Sequence, residues 1–340
     1  MNLSATAALH SPQRVPELWF DDGTIVIQAG NSLYRVYRGA LAGRSSVFRD
    51  MLSCPQPPES DLVEGCPFVE LPDPEVEVTP FLKAIFDPVF FMPFPAKTEF
   101  DAVVGCLRLS NKYEVEYLRH RALVHFSSAY PTTLSKLDAL LYRPGECPPL
   151  ESQSWEVSME PASRIRAIQL AREVDAPWIL PRAFYTLSLN FNTLGVTIFH
   201  GAVYNGEKTC LSLEDQTSFL KGYNIQRNDT VDNLRFLLDP LDNQGCHRPG
   251  PAGCSLQKSK AMRHCPALLN KRPVNALYVW DGEAWHKLRN MCTPCLEALK
   301  KKHQDARQAF WDRLPEIYDL PSWEVLEQLR AAALAPSWNE

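Results

Sequence analysis

Residues 20–52 read FDDGTIVIQAGNSLYRVYRGALAGRSSVFRDML, and this stretch decides the reading of the first half of the chain. Ile25, Ile27, Leu33 and Val36 sit in short β-prone runs, separated by Asp21-Asp22-Gly23 and Gly30-Asn31, residues that tolerate the positive φ of tight turns. A hairpin is the local expectation. Beyond it, Leu41 and then Val47, Phe48, Met51 and Leu52 recur at helical spacing, with Ser45 or Ser46 placed to cap the second helix. The order is therefore strand, strand, helix, helix.

Further along the same half, Phe68-Val69-Glu70-Leu71 reads as a third strand, Val78 to Phe86 as a helix, and Phe100 to Tyr130 as a helical pair. Leu41, Phe48, Leu82, Phe86, Leu107 and Phe126 are the expected core of this half.

With 340 residues and 45% hydrophobic content, the chain has enough material for two cores. A formal net charge of −5 argues against general phosphate-backbone binding, which needs a basic face to displace counterions, so nucleic acid is not the expected partner. The N-terminal MNLSATAALHSPQRVP lacks the charged start and apolar core of a signal peptide, and no run of about 18 uncharged apolar residues occurs. The expectation is no membrane association and a cytoplasmic or nuclear location. In that reducing setting, ten cysteines read as free thiols or metal ligands rather than disulfides.

Proline and glycine punctuate the rest. Residues 1–15 read as a disordered N-terminus, Cys54 to Ser60 as a loop, and Phe91-Met92-Pro93-Phe94-Pro95 as an apolar loop that either packs on its own domain or faces a partner. Residues 131–161 read as a linker, because their latter part, from Arg143, carries four prolines and little periodicity. A mainly α-helical second domain follows over residues 162–340, with helices expected at Ala162 to Val174, Trp178 to Leu189 and Leu213 to Tyr223. The fold class is α+β overall.

Chemistry concentrates between residues 246 and 303, which hold Cys246, Cys254, Cys265, Cys292 and Cys295 with His247, His264, His286 and His303. Cys292-Thr293-Pro294-Cys295 is a C-x-x-C knuckle whose thiolates can share one ion, and Cys246 with Cys254 can complete a tetrahedral zinc site of structural type. Ordinary buried cysteines are the competing account, and a redox motif is a third. No phosphate-binding loop, dinucleotide-binding glycine motif, nucleophile elbow or H-E-x-x-H occurs, so no enzymatic activity is expected. Glu114 with Glu116 and Glu214 with Asp215 read as solvated helix charges, and Lys300, Lys301, Lys302, His303 and Arg307 as an exposed helix face.

The wording DGTIVI followed by LYRVYRGALAGRSSVFRDML, continued by LRLSNKYEVEYLRHRAL, resembles the BTB/POZ domain over residues 16–130. Tyr37 stands where that family often has His. In the second half, IRAIQLAREVDAPWIL (165–180) and WDRLPEIYDLPSW (311–323) resemble segments that follow the BTB domain in a group of fungal, mostly mushroom-type, BTB proteins. The resemblance implies a protein-protein interaction module or adaptor that forms homodimers. It also implies recruitment of a cullin ubiquitin-ligase scaffold, because Leu62-Val63-Glu64 matches the Φ-x-E motif of the cullin-recruiting members. On that reading the partner-binding residues are Leu62, Glu64 and Tyr37. A self-associating scaffold or transcription-regulatory protein with no ligase role is the alternative.

Overall fold

The computed structural model describes residues 11–54, 62–141, 160–189, 191–232, 235–241, 245–250, 253–263, 275–277, 280 and 285–335. The fold is mixed α and β. Its described residues divide into two compact units, one formed by those up to Ala129 together with 333–335, the other by those from Tyr130 to Ala332.

The first unit opens with β1 (Gln13–Trp19), β2 (Ile25–Ala29) and β3 (Ser32–Val36). The strands β2 and β3 form the expected antiparallel hairpin, with Ala29 opposite Ser32 and Gly30 at φ +53 in the turn. Helices α1 (Arg38–Arg44) and α2 (Ser46–Ser53) follow, then β4 (Leu62–Val63), β5 (Cys66–Leu71), α3 (Glu75–Phe86), α4 (Phe100–Lys112) and α5 (Glu116–Ser128). The five strands lie in the order β1-β3-β2-β5-β4, with β2 parallel to β5 and β1 parallel to β3. In the central strand β2, Ile25, Val26, Ile27 and Ala29 are all buried, so both of its faces are covered, which accounts for its unbroken apolar run.

Between α1 and α2, Ser45 is the cap: its Oγ accepts the Phe48 amide at 2.9 Å. Phe48 is fully buried, stacked on Tyr113 with ring centroids 4.6 Å apart and on Phe81 at 6.5 Å. Leu41, Leu82, Leu107 and Phe126 are core residues as expected. Phe86 is not: it is half-buried and packs against Phe20 and Tyr37, while Ile85, one residue earlier, turns into the core. Helices α3 and α4 touch closely at Gly105, where a Cβ would lie 2.8 Å from the Glu77 carbonyl oxygen.

Two features of this unit depart from the sequence reading. The strand β1 begins at Gln13, inside the segment read as disordered; pairing with β3 holds it. The two-residue β4 is an added edge strand. In the apolar loop Phe91 is buried against the His125 ring at 5.0 Å, whereas Met92 and Phe94 are exposed. The loop 55–61 and residues 1–10 lie outside the described residues.

The second unit contains α6 (Leu134–Leu141), α7 (Pro161–Glu173), a 3-10 turn at Pro177–Ile179, α8 (Leu180–Ser188), α9 (Phe191–His200), β6 (Ala202–Tyr204) and β7 (Glu207–Thr209). It continues with α10 (Leu213–Asp232), α11 (Arg235–Leu238), α12 (Cys254–Met262), α13 (Thr293–Ile317) and α14 (Trp323–Ala333). Helix α6 occupies part of the stretch read as linker; its Leu134 and Leu137 are buried and its Asp138 pairs with Arg307. Residues 142–159, the proline-bearing part of that stretch, lie outside the described residues.

Helices α7, α8, α10 and α13 supply the principal core of the unit, with Ile165, Ile168, Trp178, Phe184, Phe219 and Trp311 buried. Phe184 stacks on Tyr318 at 5.2 Å, and Gly222 of α10 leaves room for the Tyr318 ring. The Tyr318 hydroxyl and the Ser188 hydroxyl both donate to Gln226 Oε1, at 3.0 and 2.8 Å. Leu213, the first residue of α10, is exposed.

Candidate metal centre

Four sulfurs converge in the second unit. The Sγ atoms of Cys246, Cys254, Cys292 and Cys295 all lie within 4.8 Å of one another. Cys254 to Cys292 is 3.6 Å, and Cys292 to Cys246 is 4.0 Å. A tetrahedron with zinc-sulfur bonds of about 2.3 Å has edges of about 3.8 Å, so these separations match a four-sulfur cage and are far from the roughly 2.05 Å of a disulfide. Cys265 and His264 lie outside the described residues.

Each ligand is delivered by a short local device. Pro294 sits in the first turn of α13, where its missing N–H leaves no bond unmade, and so starts the helix directly after Cys292, the N-cap. The first turn then brings Cys295 back beside Cys292. Gly253, which precedes Cys254 at the start of α12, donates to Gly250 O at 3.0 Å, while Cys254 N donates to Arg248 O at 3.4 Å. These bonds fold the segment carrying Cys246 over α12. Arg248 reaches across to Asn290 O at 3.0 Å, linking that segment to the approach to α13.

Backbone donors face the sulfurs. Cys292 N–H donates to Cys254 Sγ at 3.3 Å, and Arg248 N–H donates to Cys246 Sγ at 3.4 Å. The amides of Cys295 and His247 both donate to Cys292 Sγ, and with help from neighbouring thiols they lower its pKa to about 6. Burial pushes the thiols of Cys254 and Cys295 up. Amide donors around sulfur are what thiolates require, and a divalent cation is what allows four of them to ionise together in a buried site.

The surroundings are apolar and compact. Cys254, Cys292 and Cys295 are buried, and Cys246 is partly exposed. They share one small core with Phe236, Leu237, Trp280, Leu288, Met291 and Leu299. Next to it the His303 ring lies among Phe236, Trp280 and Trp285, with centroids 5.3 to 6.2 Å away. His303 accepts the Trp280 amide at Nε2 and, through burial first and the Arg307 charge second, is driven down to about 4. It is neutral and stands apart from the sulfur cage. Arg307 is also buried, so only Lys300, Lys301 and Lys302 of that expected face are exposed. Asp215 departs from expectation as well: it is buried and paired with Arg172 at 2.7 Å, whereas Glu114, Glu116 and Glu214 are exposed.

The expected partner-facing residues belong to the first unit. Leu62 is 64% exposed on β4. Glu64 and Gly65, at φ +51 and +77, form the tight turn from β4 to β5, and the Glu64 carboxylate pairs with Arg14 and with Arg35. Tyr37 is half-buried: its hydroxyl donates to Asp22 at 2.6 Å and its ring stacks on Phe20 at 5.0 Å. It therefore secures the turn before β2 to the start of α1.

Among the described residues, no helix is long and apolar enough to cross a membrane. Comparison of the chain with protein-family models, with curated proteins and with solved structures yields no match.

Proposed function

We propose that this chain is a protein-protein interaction module, with a BTB/POZ-type first unit that self-associates or recruits partners and a helical second unit that carries its own recognition surface. The observation that carries the reading is the topology of the first unit. A β2-β3 hairpin passes through the α1-α2 pair into β5, which lies parallel to β2, and helices α3, α4 and α5 close the core. This agrees with the order that the resemblance implies.

On this reading the chain is a substrate adaptor for a cullin-type ligase, with Leu62 as the exposed apolar anchor and Glu64 as the acidic one. Because Glu64 is held by two arginines, a partner must exchange one of those ion pairs for its own. The test is capture of the tagged full chain from its own cells, with cullin quantified for the unaltered protein and for Leu62→Ala combined with Glu64→Ala. Cullin held by the first and lost from the second makes the chain an adaptor. Cullin absent from both favours the self-associating scaffold.

The four-sulfur cage is read as a structural zinc site. Cys246, Cys254, Cys292 and Cys295 would be the ligands, and with four protein ligands no coordination position is left for water or substrate. Zinc there would tie α12, the segment before it and the start of α13 into one body, supplementing a core too small to hold them alone.

A further inference from the structure

We infer that the four-cysteine centre is a thiol switch: hydrogen peroxide joins Cys246 to Cys292 as a disulfide and expels the metal. This rests on the zinc reading above. The argument starts from the inequality of the four ligands. Cys254 and Cys295 are buried on helices α12 and α13, whereas Cys246 is partly exposed and lies in a segment of irregular backbone. A small oxidant coming from solvent therefore meets Cys246 first. Its neighbour at 4.0 Å is Cys292, the N-cap of a 25-residue helix. Closing 4.0 Å to about 2.05 Å needs a shift of about 2 Å, which a loop absorbs more readily than a helix.

The chemistry balances. The Cys246 sulfur attacks one peroxide oxygen, the O–O bond breaks, and the departing hydroxide takes a proton from solvent to become water. Cys246 is then a sulfenic acid. The Cys292 thiolate attacks that sulfur, the S–O bond breaks, the S–S bond forms, and the second hydroxide leaves as water with another solvent proton. Two thiolates lose two electrons in total, and one peroxide is reduced to two waters. Cys254 and Cys295 are too few to retain the ion, so Zn²⁺ passes to solvent and these two thiolates take up two solvent protons to become thiols. The small core around Trp280 and Leu288 is left with a disulfide in place of a metal.

The experiment uses the full chain purified under reducing conditions. Zinc per chain is measured first; the protein is then treated with hydrogen peroxide in the presence of a chromogenic zinc chelator, and its disulfides are mapped by non-reducing peptide analysis. Peptide mapping also separates the switch from oxidation of the exposed Cys54. The expected result is zinc in the reduced chain, release on treatment, a Cys246–Cys292 disulfide, and reloading after thiol reductant and zinc are returned. Zinc that stays bound, or leaves with a different pair joined, overturns the switch and leaves the metal reading standing. A reduced chain without zinc overturns both.

Discussion

Replacing Arg307 with Ala should destabilise the second unit by about 3 kcal/mol. Arg307 has only 1% of its side-chain surface exposed and makes a bidentate pair with Asp138, Nη1 to Oδ2 at 3.0 Å and Nη2 to Oδ1. Its Nε donates to Leu277 O at 3.1 Å, and Nη1 also donates to Gln304 Oε1 at 2.9 Å. One side chain thus fastens α6 and the 275–277 segment to α13. Breaking a buried pair from one side costs about 3 to 5 kcal/mol, chiefly because the partner charge is stranded. Here the lower end applies, since the Asp138 side chain is 29% exposed and keeps some water. Urea unfolding of the full chain, followed by tryptophan fluorescence, reads the loss; Trp280 and Trp311 both lie in this unit. Arg307→Met combined with Asp138→Leu should recover most of the loss, to within about 1 kcal/mol of the parent, because the stranded charge is then absent. An Arg307→Ala protein that unfolds with the parent, or a double variant as unstable as the single, would refute the reasoning.

Other outcomes follow from the same geometry. Phe48→Ala should cost about 3 to 5 kcal/mol, and Phe86→Ala clearly less because Phe86 is half-buried; equal losses in thermal melts would show the register of α3 to be wrong. Gly105→Ala should cost about 1 to 3 kcal/mol by overpacking α3 against α4, with an unchanged melting midpoint as the contrary result. His303 titrates near 6.5 when unfolded and at about 4 when folded. Between those values the unfolded chain binds the extra proton, so stability falls as pH drops from about 6.5 to about 4 and the loss is complete below that. The groups facing it are Arg307, which disfavours the proton, and Asp138, which favours it. The loss is on the order of 3 kcal/mol, and it should be absent from the difference curve when His303→Gln is titrated beside the parent.

Much of the first unit is legible because its signals are local. Gly30-Asn31 marks the hairpin turn, Ser45 the cap, and the unbroken IVI run a strand covered on both faces. Phe86 misleads because helical spacing leaves adjacent residues Ile85 and Phe86 both near the core boundary, and packing against Phe20 and Tyr37 settles it. The strand β1 escapes notice since its mostly exposed residues, Pro16 among them, show no clear alternation and only pairing with β3 makes them a strand. By contrast the β6-β7 hairpin had a readable signal: Asn205-Gly206, at φ +48 and +83, is a two-residue turn of the kind that joins antiparallel strands.

In the second unit the limits are of another sort. Cysteine density suggests the convergence of Cys246, Cys254, Cys292 and Cys295, yet spacing alone leaves ordinary buried cysteines as a competing account; the sulfur separations and amide donors narrow the choice. His303, Arg307 and Asp215 read as surface charges because nothing in a helical pattern shows which polar residue has a buried partner on a distant element.

The interaction reading is tested most directly by co-expressing two full-length copies with different tags in the chain's own cells, capturing one tag, and quantifying both the second tag and cullin. The account predicts that the second copy, cullin or both are retained well above an untagged control. Capture of the bait with neither of them would contradict it.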